Sequence, residues 1–185
     1  MSPALDSAVG ALRAGGVIAY PTEAVFGLGC DPQNQAAVAH LFALKQRPPT
    51  QGVLLIAADF DQVEKYIDMS AVSTAALARA QATWPGPHTW VFPRSAATPG
   101  WLSGSHAGIA LRITAHPLAA ALCRAWGGAL VSTSANRHGE PPGCTAEAVQ
   151  AAFGGELAYI LAGETGGLAR PTPIRDAITG EEFRV

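Results

Sequence analysis

Apolar positions along the chain fall into short runs and helical stripes, separated by turn residues. Val9 and Leu12, with flanking alanines, form a stripe behind Ser2-Pro3, a cap and first-turn pair, and Gly15-Gly16 ends that predicted helix. Val17 to Tyr20 follows at once as a buried strand. A loop through Cys30 leads to Asn34, which caps a helix with Val38, Leu41 and Phe42 on one face. That helix delivers Lys45 and Arg47 at its C-terminal end, where Pro48-Pro49 forbids continuation. Val53 to Ala57 has strand length, Asp59 opens a short helix, and Ser73 to Ala82 reads as another. Further on, strands are expected at Thr89–Phe92, Ile109–Ile113, Ala129–Ser132 and Leu157–Leu161. Helices are expected from His116-Pro117 to Trp126 and from Thr145 to Phe153, and a hairpin from Ile174 to Val185 turning at Thr179-Gly180.

Strands and helices thus alternate irregularly, without an internal repeat or a dividing linker. The pattern predicts one α/β domain over residues 1–185, a mixed sheet with helices packed on it. A chain of 185 residues that is 49% hydrophobic and only 14% charged folds around a substantial core. Its formal net charge of -2 argues against coating nucleic acid by bulk electrostatics, although a local basic groove stays open. Cys30, Cys123 and Cys144 are distant and odd in number, with no zinc-finger spacing, so no metal site is expected and the thiols read as packing groups. The N-terminus lacks a basic start and hydrophobic core, and no apolar stretch reaches membrane-spanning length, so a cytoplasmic location without membrane contact is expected.

Candidate chemistry sits where strands end. Tyr20-Pro21-Thr22-Glu23 and Ser132-Thr133-Ser134-Ala135-Asn136 each follow an apolar run, and in open α/β sheets ligands collect at such edges. Lys45 and Arg47 are the closely spaced cationic pair; they complement the helix dipole or clamp a phosphate, and position alone leaves both open. Thr22 and Glu23 suit either a turn or a small polar ligand. Arg112 alternates with Leu111 and Ile113, so it faces either solvent or the floor of a concave site, where it would pair with a carboxylate. The P-loop, the dinucleotide-binding glycine motif, the nucleophile elbow and HExxH are all absent, and Gly27-Leu28-Gly29 is too short to count. The five histidines carry no signal of their own, and the tryptophans read as core anchors.

At these residues the chain resembles the YrdC family, in its short bacterial TsaC type. The resemblance rests on the run from Tyr20 to Asp31, Leu44-Lys45-Gln46-Arg47-Pro48, Trp84-Pro85-Gly86-Pro87, Arg112 before His116-Pro117, the run from Val131 to Asn136, and Gly163-Glu164-Thr165-Gly166-Gly167. It implies a twisted mixed α/β sheet with a concave surface, flanked by helices. It also implies a nucleotidyltransferase that converts L-threonine, bicarbonate or carbon dioxide, and ATP to threonylcarbamoyl-adenylate and pyrophosphate. This is the first step of the threonylcarbamoyl (t6A) modification of adenosine 37 in tRNA. By resemblance, Lys45 and Arg47 would be catalytic and hold the ATP phosphates, Ser134 and Asn136 would contact the nucleotide, and Thr22, Arg112 and Ser132 would hold threonine. Mg2+ would bridge the phosphates, and the product would pass to a downstream transferase complex (TsaD, TsaB, TsaE).

Two departures stand out. Longer family members carry a threonine-contacting histidine after the Lys-x-Arg motif, where this chain has Val53-Leu54-Leu55-Ile56, and their C-terminal extension is missing. A second reading is a non-catalytic tRNA- or double-stranded-RNA-binding or ribosome-maturation factor using the same concavity, with steeply salt-dependent binding indifferent to threonine. A carbamoyl-transfer protein like the hydrogenase-maturation carbamoyltransferase ranks last, because the chain lacks the CxxC pairs of that protein's zinc-finger part.

Overall fold

The structure, a computed structural model, describes residues 2–169 and 172–184. Nine strands form one mixed sheet in the order β7-β1-β2-β6-β3-β5-β4-β8-β9. They are β1 (Ile18–Pro21), β2 (Phe26–Gly29), β3 (Leu54–Ala57), β4 (Thr89–Pro93), β5 (Gly108–Ile113), β6 (Leu130–Ser134), β7 (Tyr159–Ile160), β8 (Ile174–Asp176) and β9 (Glu182–Arg184). The helices are α1 (Pro3–Arg13), α2 (Gln35–Lys45), α3 (Thr74–Gln81), α4 (Gly100–Ser103), α5 (Pro117–Trp126) and α6 (Ala146–Phe153).

The caps expected at Ser2, Asn34 and Thr145 form, and Ser73, read only as the start of a helix, caps as well. Ser2, Asn34, Ser73 and Thr145 each accept a hydrogen bond from the backbone N–H three residues on. Three expectations are corrected. The segment read as a loop through Cys30 contains β2, paired antiparallel with β1 and β6. Asp59 opens only a 3-10 turn over Phe60–Gln62, with no side-chain cap. The strand expected over Leu157–Leu161 narrows to Tyr159–Ile160, paired with β1. The short α4 was not expected. The hairpin of β8 and β9 forms as read, while its end at Val185 lies outside the described residues.

Strand alternation sorts two cores. On one face, Phe26, Leu28, Leu55, Phe92, Leu111 and Val131 pack with Val38, Leu41 and Phe42 of α2, Leu102 of α4 and Phe153 of α6. On the other, Ile18, Tyr20, Ile56 and Leu130 pack under Leu5, Val9 and Leu12 of α1 and Ala119, Leu122 and Cys123 of α5. These two helices cover only part of their face. Along β6 the same face changes from Leu130 beneath the helices to Ser132 and Ser134 beyond them. Register carries the change across the sheet, because Ile56 opposes Leu130 while Leu54 opposes Ser132 and Ala110. The open half of the sheet is the floor of a cavity.

Candidate functional site

That cavity measures about 990 Å3. This is at the upper end of the roughly 300–1,000 Å3 of small-molecule sites, with room for more than one ligand. Five of the seven residues singled out in the sequence line it: Thr22, Arg47, Arg112, Ser132 and Ser134. Lys45 and Asn136 are not among its lining residues and stand behind the wall.

Arg112 marks the border between covered and open halves. It pairs in register with Ile56, which lies under the helices, and it is only 4% exposed. Its Nη1 donates to Thr172 Oγ1 at 2.9 Å, and its Nη2 lies 3.8 Å from Glu23 Oε2. Glu23 is fixed by its other oxygen, which accepts from Thr114 Oγ1 at 2.6 Å and from the Ala115 N–H at 3.1 Å. Glu23 Oε2 and Arg112 Nε have no hydrogen-bond partner among the described residues. Buried polar atoms are normally matched, so this loosely joined pair in and behind the cavity wall is suited to a small zwitterion.

The Gly27-Leu28-Gly29 run, too short to count as a motif, has a clear geometric purpose. Leu28 points into the helix-covered core, while both glycines face the other side. A Cβ at Gly27 would lie 3.2 Å from Ser132 Oγ and 3.4 Å from Thr22 Cγ2. The missing side chain therefore keeps open the space between two candidate ligand groups. A Cβ at Gly29 would meet Val131 O at 2.5 Å and the Tyr20 ring at 2.7 Å. Tyr20 is fully buried there, its hydroxyl donating to Val131 O at 3.2 Å, and burial pushes its ionisation well above the usual range.

Arg47, which also lines the cavity, donates from Nε to Gln51 Oε1 at 2.9 Å and from Nη1 to Thr133 Oγ1 at 3.3 Å. Lys45 turns inward. Its ammonium donates to Ser134 O at 2.5 Å, Asn136 O at 2.8 Å and Asn136 Oδ1 at 3.2 Å. Burial, with a further push from Arg47, lowers its pKa to about 8. Asn136 Oδ1 also accepts from Ser134 Oγ at 2.6 Å, and its amide nitrogen donates to Arg137 O and Glu140 O. Thr22 spends its hydroxyl proton on Val25 O at 2.7 Å and retains lone pairs for a ligand.

Other cavity residues went unread. Thr172 belongs to a stretch without periodicity, and His106 to a glycine/serine loop; only the folded chain brings them to the cavity. Of the run Val53-Leu54-Leu55-Ile56, Val53 and Leu54 line the cavity. His116 is structural: Nδ1 accepts the Ala119 N–H at 3.3 Å and caps α5, while Nε2 meets Glu164 O at 2.9 Å. Among the described residues, no cluster of three His, Cys, Asp or Glu could hold a metal, and no helix is long and apolar enough to cross a membrane.

A model of the Sua5/YciO/YrdC family, described as telomere recombination, matches residues 10–185. A Stenotrophomonas maltophilia protein named threonylcarbamoyl-AMP synthase is 56% identical over 180 residues, covering 97% of each chain. A protein of the same name from Xanthomonas campestris pv. campestris is 52% identical over 183 residues, covering 99% of this chain and 98% of the relative. Among solved structures, P. abyssi Sua5 complexed with L-threonine matches with a TM-score of 0.87 at 30% identity, over 93% of this chain and 50% of that one. With its mixed sheet, half-open face and these likenesses over almost its full length, the chain belongs to the Sua5/YciO/YrdC family.

Proposed function

We infer that the protein is a threonylcarbamoyl-AMP synthase, a nucleotidyltransferase that makes threonylcarbamoyl-AMP and pyrophosphate from L-threonine, bicarbonate or carbon dioxide, and ATP. The reading is carried by one cavity that gathers a buried guanidinium, a row of hydroxyls and a second arginine, in a chain whose near-full-length relatives bear that name.

The threonine amine gives up a proton and adds to carbon dioxide as a carbamate. A carbamate oxygen then attacks the α-phosphorus, and the bond to pyrophosphate breaks. Charge builds on phosphate oxygens, so preorganised donors contribute more than a protein nucleophile. Arg112 receives the threonine carboxylate, with Thr22 and Ser132 on either side of the space that Gly27 leaves open. Arg47 and Ser134, farther along β6 than Ser132, face the phosphates. Magnesium arriving with the nucleotide would supply further neutralisation of phosphate charge beside Arg47 and Ser134.

Forming the adenylate is the first step of tRNA t6A37 synthesis. The product passes in the cytoplasm to the TsaD, TsaB and TsaE transferase complex, with tRNA or double-stranded RNA as a further partner. The test is to incubate purified protein with ATP, magnesium and bicarbonate, with and without L-threonine, and to follow pyrophosphate and the adenylate by mass spectrometry. Product that requires both threonine and bicarbonate is expected. No product from folded protein that still binds RNA, steeply in salt, would overturn the enzyme in favour of a binding module.

A further inference from the structure

We propose that Lys45 is a positioning residue, which builds the nucleotide-facing corner Ser134–Asn136 from behind and does not itself meet the phosphates. The proposal rests on reading the cavity as an ATP site. The geometry that carries it is convergent. All three ammonium protons of Lys45 have oxygen acceptors, and all three acceptors belong to Ser134 and Asn136. The residue is 4% exposed and is not among those lining the cavity, whereas Ser134 and Arg47 are.

The attachment is reciprocal. Lys45 O accepts from the His138 N–H at 2.9 Å, and Leu44 O accepts from Arg137 Nη1 at 3.0 Å. The end of α2 and the loop after β6 are thus tied at several points. Asn136 Oδ1 then takes the Ser134 hydroxyl at 2.6 Å, so the ammonium orients through Asn136 the group that faces the cavity. A lysine suits this task because its three donors diverge from one point towards two carbonyls and an amide oxygen. Drawing the ammonium out towards a phosphate would take from Asn136 O its donor and leave Ser134 O and Asn136 Oδ1 only the Asn136 N–H and the Ser134 hydroxyl, with all three charge-assisted bonds lost.

Lys45→Met and Lys45→Arg separate positioning from phosphate binding. Amide hydrogen exchange at Ala135, His138 and Glu140 is measured without nucleotide, AMP and ATP binding are titrated, and kcat and KM are determined. Losing these charge-assisted bonds is expected to speed exchange in this loop about tenfold or more in Lys45→Met. AMP and ATP affinity should fall by the same factor. KM for ATP should rise while KM for threonine stays within about twofold, and Lys45→Arg should recover most of the protection. Unchanged loop exchange overturns the proposal, whether nucleotide affinity holds or falls. Loss of ATP affinity with AMP affinity intact also overturns it and makes Lys45 a phosphate ligand. Exchange does not depend on turnover, so faster exchange in Lys45→Met alongside a wild-type protein that makes no adenylate would leave the Lys45 anchoring standing and overturn only the enzyme reading.

Discussion

Replacing Gly29 by alanine puts a methyl group into space that β2 does not have. Its Cβ would lie 2.5 Å from Val131 O, 2.7 Å from Tyr20 Cε1 and 3.1 Å from the Tyr20 hydroxyl. The carbonyl belongs to the backbone of β6, and Tyr20 is fully buried, so neither can retreat without moving a strand or a packed ring. Overpacking of this kind costs about 1–3 kcal/mol, against which the stiffer unfolded chain of the alanine variant returns about 0.4–1 kcal/mol. The net is a loss of about 1–2 kcal/mol, or roughly 2–8 °C in melting temperature for a chain of this size. Gly27→Ala is the control two residues away. Its Cβ would stand 3.2 Å from Ser132 Oγ and 3.4 Å from Thr22 Cγ2, side-chain atoms that can yield by a few tenths of an ångström. Gly27 is also buried, so the variant should lose some stability but less than Gly29→Ala, and should raise KM for threonine about tenfold by crowding the proposed pocket. Thermal melts and steady-state kinetics on both variants decide the matter. A Gly29→Ala protein as stable as the parent, or a Gly27→Ala protein with unchanged KM for threonine, would refute the division of labour between the two glycines.

Glu23→Ala leaves Arg112 buried without its counter-charge and should cost about 3 kcal/mol in chemical denaturation, whereas Glu23→Gln keeps an acceptor for Thr114 and should cost clearly less. Arg112→Ala should raise KM for threonine about 10- to 100-fold, and Arg47→Ala should do the same for ATP, each leaving the other constant nearly unmoved. The folded-state pKa of Lys45 lies near 8, below its ordinary 10.5. Between these values the unfolded chain binds more protons, so this group makes stability rise with pH. Wild type should therefore gain stability relative to Lys45→Met as pH climbs from about 8 towards 10.5. Denaturation midpoints that run parallel across that range would remove the assignment.

The sequence by itself determined most of the helices, because their signals are local. Ser2, Asn34 and Thr145 cap as read, and the apolar faces read for α1 and α2 are the ones those helices bury. The polar clusters after β1 and at the end of β6 were likewise legible as candidate ligand groups, since hydroxyls and an amide directly after a buried run are costly without a use. β2 was not legible. Half of its residues are glycines, which weaken any strand signal, and it exists because β1 and β6 offer it hydrogen-bonding edges on both sides. The tertiary structure alone decided the orientation of the cations. Lys45 and Arg47 are two residues apart, yet Gln46 between them adopts a left-handed conformation with φ of 53°. The chain turns there, sending one side chain behind the wall and the other into the cavity. Nor could sequence place Thr172 against Arg112, 60 residues away. Only the packing of α1 and α5 over half of one sheet face determined which strand residues become core and which become site.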